Sequence, residues 1–217
     1  MKWNVPNILT MIRLACTPIV VALFLISIPY GIGVFCALGV YVLACFTDFL
    51  DGYIARKYNL ITDFGKFMDQ IADKAITTTA MILVLLAGNV TLNWVAVLIV
   101  LIVVLRDTII SGIRMVAANK SIVIAADIFG KIKSFFLDVA SMVLMLYVGL
   151  TLCLDGGIYA KIGTMPIEYI RIFGLALMII GAVLSVVSCI NYSVHAVQSF
   201  KEKANEEHRA EQIKDAE

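Results

Sequence analysis

The sequence predicts an all-α integral membrane protein of six transmembrane helices, and three observations carry that prediction. Of its 217 residues, 61% are hydrophobic and only 15% charged, with a mean hydropathy of +0.96, whereas a soluble domain is roughly 45–50% apolar. The apolar residues gather into runs of the roughly 20 residues that a helix needs to cross a bilayer. Lysine and arginine sort unevenly among the short stretches between those runs. The net charge of +1 gives no electrostatic reason to expect nucleic acid as a partner.

The first run lies near Ile8–Ile28. Its opening, MKWNVPNILTMIRLACTPIVVALFLISI, has the charge-then-apolar order of a secretory signal. The apolar stretch is too long for a usual signal core, no A-x-A site follows, and Arg13 interrupts its start, so it reads as a retained first span. Pro29-Tyr30-Gly31 turns the chain into the second run, Gly33–Ile54. The third, Phe67–Leu86, is closed by Gly88-Asn89; the fourth is Trp94–Ala118. The fifth, Ile132–Leu152, ends before Asp155-Gly156-Gly157, and the sixth is Ile170–Val197. A single membrane domain is therefore expected over residues 1–200, with a polar tail over 201–217 that extends the last helix or frays. No internal repeat and no second domain is evident. Five cysteines without CxxC or Cys/His metal spacing read as small hydrophobes rather than a disulfide framework.

Arg56, Lys57, Lys66, Lys120, Lys131 and Lys133 fall on one side of this arrangement, with Lys2 and the basic residues of the tail. The other side has little beyond Lys161 and Arg171. The positive-inside rule then makes both termini cytoplasmic in a multi-pass plasma-membrane protein, with the ends of the second and third spans on the same side.

At those ends lie Asp48, Asp51, Asp69 and Asp73. An aspartate at the bilayer centre costs roughly 2.5–3.5 kcal/mol on insertion scales, so four in apolar segments need a reason. Their pattern is D-x2-D-G-x2-A-R-x8-G-x3-D-x3-D. On a helix, Asp48, Asp51, Gly52, Ala55 and Arg56 project within an arc of roughly 140°. Gly65, Asp69 and Asp73 follow at i, i+4 and i+8 on the next helix. The short connector between them makes the two helices neighbours whose faces converge on one pocket. Crowded carboxylates repel unless a cation lies among them, and hard divalent cations prefer oxygen ligands. Asp48, Asp51, Asp69 and Asp73 are therefore candidate ligands for Mg2+ or Mn2+. Gly52 and Ala55 leave room for a ligand against the backbone, and Arg56 at the same mouth suits an anionic oxygen. Helix packing alone accounts for the small residues, but not for four aspartates at this spacing.

The stretch from Asp48 to Asp73 resembles the signature of the CDP-alcohol phosphatidyltransferases, with every fixed position present. The resemblance implies a six-helix fold, a homodimer, a divalent metal site held by these aspartates, and Asp73 as general base. It also implies CDP-diacylglycerol as a donor held by Thr10, Asp48, Gly52, Ala55 and Arg56.

A second basic region surrounds the fourth and fifth spans, and its Arg114, Lys131 and Lys133 are candidates for binding an acceptor's phosphate. Together with Pro6-Asn7, Leu9-Thr10, Arg13, Ser111-Gly112 and Gly130, these residues are similar to the family branch whose acceptor is glycerol 3-phosphate. Asp107, where Glu is expected, and Ser134, where Thr is expected, depart conservatively. Other acceptors, an inositol phosphate or phosphatidylglycerol, remain as alternatives. A cation transporter remains as a third reading, although such proteins place their sites near the midplane and often show a repeat. Asp138 on the fifth span reads as paired with a basic neighbour, and Asn191 and His195 as interhelical hydrogen-bond partners.

Overall fold

The structure, a computed structural model, describes residues 5–26, 31–57, 63–87, 93–119, 128–155 and 165–214. They form six helices: α1 Val5–Leu25, α2 Ile32–Lys57, α3 Asp63–Leu86, α4 Asn93–Asn119, α5 Ile128–Asp155 and α6 Met165–Lys214. Pro6 and Pro166 stand in the first turns of α1 and α6, where an amide hydrogen has no intrahelical partner to lose. The last helix runs for 50 residues and carries part of the polar tail with it.

Five of the six are long and apolar enough to cross a membrane: Asn7–Leu25, Ile32–Phe49, Trp94–Ala117, Ile132–Cys153 and Ile167–Lys203. Helix α3 has the length, at 24 residues, but its first half carries Lys66, Asp69, Asp73 and Lys74. The polar half of α3 is where the site is built.

Helix α1 packs against both α2 and α3, whereas α2 and α3 touch each other only slightly. The direct pairing of α2 and α3 expected from their short connector is thus corrected: their carboxylates converge across α1. Helix α5 packs on α6, α2 and α3, and α4 on α6 and α3. Small residues let these backbones approach, as lipid supplies little hydrophobic drive between helices. Ala37, Tyr41, Ala80 and Met145 are wholly inaccessible at the centre of the bundle, while Leu43, Leu86, Leu105 and Ile190 face outward. The five cysteines are free, with Cys36 exposed on the outer surface.

Two glycines fix the α1–α2 turn and its packing. Gly31 has φ +69°, a left-handed conformation costly to residues with a Cβ. Gly33 lies so close to α1 that a Cβ there would stand 2.5 Å from the Leu23 carbonyl oxygen. That neighbour is backbone and cannot swing away. Gly33→Ala is expected to destabilise the protein by about 1–3 kcal/mol, in the range of overpacking substitutions. Gly39→Ala, where a Cβ would meet nothing within 4 Å, should leave the melting temperature in detergent unchanged. Equal melting of the two variants would contradict this account of the α1–α2 contact.

Candidate active site

A cavity of about 1400 Å³ opens among α2, α3, α4, α5 and α6. One wall is acidic. Asp48 from α2 and Asp69 and Asp73 from α3 line it, the last two separated by one helical turn. Behind them, Arg13 of α1 is 1% exposed. Its Nη1 forms ion pairs with Asp48 and, at 3.1 Å, with Asp69. A guanidinium buried this deeply is tolerated only beside such partners, and the carboxylates in turn are held apart from one another by a cation. Arg13 therefore sets the spacing of the acidic wall. In the sequence it reads as an interruption of the first span. The signal that marks it is the general one, an ionisable residue inside an apolar run.

The donors of this wall are carboxylate oxygens, the type that a hard divalent cation takes. Asp48 and Asp69 come from different helices yet meet on one cationic atom, and Asp73 lines the same cavity. Among the described residues no three acidic, histidine or cysteine side chains form a ready-made cage. The side chains of Asp51, Gly52, Ala55 and Arg56 lie outside the described residues, although their backbone continues α2. Thr10 is buried at 3% on α1, one turn before Arg13, and is not among the residues lining the cavity.

A second part of the lining is basic, and it begins beside Asp73, which borders a smaller pocket together with Lys74, Asp107 and Lys133. Asp107 of α4 is its hub: Arg106 Nη1 donates to Asp107 Oδ1 at 2.7 Å, and Lys133 of α5 pairs with the same oxygen. Arg106 Nη2 donates to Ser188 Oγ of α6 at 2.5 Å. Lys74 of α3 donates to the Asp107 carbonyl at 2.9 Å and also to Ser111. Farther out, Arg114 stacks over the Tyr192 ring at 5.5 Å, and its Nε lies 3.4 Å from the ring hydroxyl. Lys74, Arg106, Arg114 and Lys133 all line the cavity, with Asp107 as the carboxylate among them. Four cations around one anion leave this wall positive.

Of the three basic residues expected to meet a phosphate, Lys133 and Arg114 are thus in the cavity wall; the Lys131 side chain lies outside the described residues. Lys74 and Arg106 join them. Between the walls and the outer surface, Val42, Phe46, Phe49, Phe135, Val139 and Met142 give the cavity an apolar flank, with Phe46, Phe49 and Phe135 strongly exposed.

Two expectations are corrected. Among the described residues Asp138 forms no ion pair with a base; it accepts hydrogen bonds from the hydroxyls of Tyr41 and Thr77. Uncharged donors already occupy the space beside it. His195 is exposed, and among the described residues neither it nor Asn191 makes an interhelical hydrogen bond. Tyr192, on the inner face between them, makes that contact through Arg114.

The chain matches the CDP-alcohol phosphatidyltransferase family over residues 3–187. Similar relatives include proteins named CDP-diacylglycerol–glycerol-3-phosphate 3-phosphatidyltransferase. That of Bacillus subtilis (strain 168) is 32% identical over 155 residues, covering 67% of this chain and 78% of the relative. That of Rickettsia bellii (strain RML369-C) is 37% identical over 143 residues, or 66% and 75%. That of Shigella flexneri serotype 5b (strain 8401) is 30% identical over 194 residues, or 88% and 94%.

If Arg13 holds the acidic wall, Arg13→Leu measured in chelator should lower stability by about 1.5–3 kcal/mol, the range for hydrogen bonds to charged groups. Asp48→Asn should cost much less alone and should recover part of the loss when combined with Arg13→Leu. Strict additivity of the two substitutions in a thermal-melting cycle would show that the pair is not coupled.

Proposed function

The chain belongs to the CDP-alcohol phosphatidyltransferase family, and from that premise we propose that it transfers the phosphatidyl group of CDP-diacylglycerol to glycerol 3-phosphate, giving phosphatidylglycerophosphate and CMP. The observation that carries this reading is the two-walled cavity. Carboxylates for the donor's metal-bound pyrophosphate share it with cations for a phosphorylated acceptor, with an apolar flank for diacylglycerol chains beside them.

In this reading Asp48, Asp51 and Asp69 would hold a divalent Mg2+ or Mn2+, with Asp73 able to share it. Such a cation neutralises charge on the pyrophosphate and makes CMP a better leaving group. The remaining work falls to the protein's own groups. Arg13 keeps Asp48 and Asp69 in register. Phe46, Phe49 and Phe135 accept the acyl chains from the lipid side, while Gly52, Ala55 and Arg56 border the nucleotide. The basic wall of Arg106, Arg114 and Lys133 binds the acceptor's phosphate, and Lys131 is assigned to the same task from the sequence. Asp107 holds Arg106 and Lys133 in place.

An alcohol is a weak nucleophile, so a carboxylate must take its proton as it attacks. Asp73 has that role. The acceptor's hydroxyl oxygen bonds to the lipid-side phosphorus, the bond from that phosphorus to the bridging oxygen breaks, and its electron pair leaves with CMP. The hydroxyl proton passes to Asp73. Lysine and arginine sorting supports a cavity mouth and both termini at the cytoplasmic face. A homodimer completes the proposal, on the strength of the family resemblance.

Purified protein with CDP-diacylglycerol, glycerol 3-phosphate and Mg2+ or Mn2+ should release CMP, and chelator should stop it. Asp73→Asn should lower kcat by about 10²–10⁴-fold, the usual contribution of a general base. Asp69→Asn should abolish most activity without unfolding the protein.

Arg114→Gln or Lys133→Gln should raise KM for glycerol 3-phosphate about ten- to a hundredfold, the equivalent of one charge-assisted hydrogen bond. KM for the donor should stay nearly constant. Equal use of unphosphorylated glycerol or inositol would overturn the acceptor assignment.

A further inference from the structure

Asp138 has no task in the transfer reaction, although it lines the reaction cavity. It sits on α5, five residues beyond Lys133, or about 7.5 Å along the helix axis. Its Oδ1 accepts both of its hydrogen bonds, from the Tyr41 hydroxyl of α2 at 3.0 Å and from the Thr77 hydroxyl of α3 at 2.8 Å. Thr77 follows Asp73 by one turn. Asp138 is therefore anchored about 6 Å farther along α3 than the proposed base. Tyr41, its other anchor, is wholly buried.

The asymmetry of these contacts is informative. An ionised carboxylate accepts through both oxygens, yet among the described residues Oδ2 receives no hydrogen bond. Here two donors clamp one oxygen, which fixes the plane of the group and leaves the other oxygen available to whatever fills the cavity. A substrate seated in the cavity can bring Oδ2 a donor in place of water. The phosphate end of the acceptor is assigned to Lys133, and the attacking hydroxyl to Asp73. An acceptor with a second hydroxyl next to the attacking one has that donor to offer.

We propose that Asp138 is a specificity-determining residue whose Oδ2 accepts a hydrogen bond from the acceptor's second hydroxyl, with Tyr41 and Thr77 as its positioning residues. The proposal rests on the glycerol 3-phosphate reading and adds the means by which the vicinal diol is recognised.

The test compares glycerol 3-phosphate with 3-hydroxypropyl phosphate, which keeps the phosphate and the attacking hydroxyl but lacks the second one. Full-length wild-type protein should favour glycerol 3-phosphate in kcat/KM by about ten- to a hundredfold, the effect of one hydrogen bond to a charged group. Asp138→Ala should bring that ratio close to one while leaving KM for CDP-diacylglycerol unchanged. Thr77→Val, which frees one side of Oδ1, should narrow the ratio in the same direction and decides the matter if the alanine variant does not fold. A wild-type ratio near one overturns the proposal. So does a variant that slows both acceptors equally and keeps the ratio, because that marks a purely structural role. If wild type releases no CMP with glycerol 3-phosphate, the acceptor reading itself falls and this proposal falls with it. CMP release without discrimination removes only the proposal.

Discussion

A charge that enters a membrane bundle has to be matched there, and the ion pairs of Arg13 with Asp48 and Asp69 meet that demand at the point where the reaction is built. Arg13 is 1% exposed while the carboxylates are 42% and 48% exposed, so losing both of them would strand a buried guanidinium in a medium of low dielectric. The three side chains thus depend on one another, and three helices depend on them. Helix α1 packs on both α2 and α3, and its arginine turns an unfavourable approach of two carboxylates into a defined gap. The gap remains acidic toward the cavity, and a second cation can join there.

In the basic part of the lining the same rule operates with signs reversed. Lys133 and Arg106 converge on Asp107, and Lys74 adds a bond to its backbone carbonyl. One carboxylate organises several cations and leaves them in net excess. The result is one cavity lined by an acidic and a basic cluster that meet at Asp73 and Lys74, with an aromatic flank. Catalysis of phosphoryl transfer is largely positioning and electrostatic stabilisation, so an arrangement of this kind supplies most of what the reaction asks of a protein.

Much of this is legible in the sequence because lipid leaves few solutions: apolar runs of spanning length must be helices. The carboxylate wall is equally visible, since aspartates at helical spacing in apolar segments are too costly to persist without a task. What stays hidden depends on how helices rotate against one another. Arg13 reads as a blemish in the first span because nothing local says that its face turns toward Asp48. Asp138 calls for a base when only charge is counted, whereas its neighbours are hydroxyls on two other helices. The place of Lys74 in the cavity wall is hidden for the same reason, and the packing of α1 on both α2 and α3 is invisible to an argument from connector length. Helix α3 loses its place among the simple spans because its first half carries the site's charges.

The central claim is that the acidic wall takes the donor through a divalent cation while the basic wall takes the acceptor without one. Equilibrium binding of each substrate to purified protein, with Mg2+ or Mn2+ and with chelator, tests it most directly. The account predicts that the cation strengthens CDP-diacylglycerol binding by about tenfold or more, equivalent to about 1.4 kcal/mol or more, and leaves glycerol 3-phosphate binding nearly unchanged. Donor binding indifferent to the cation, or acceptor binding that requires it, would contradict the assignment of the two walls.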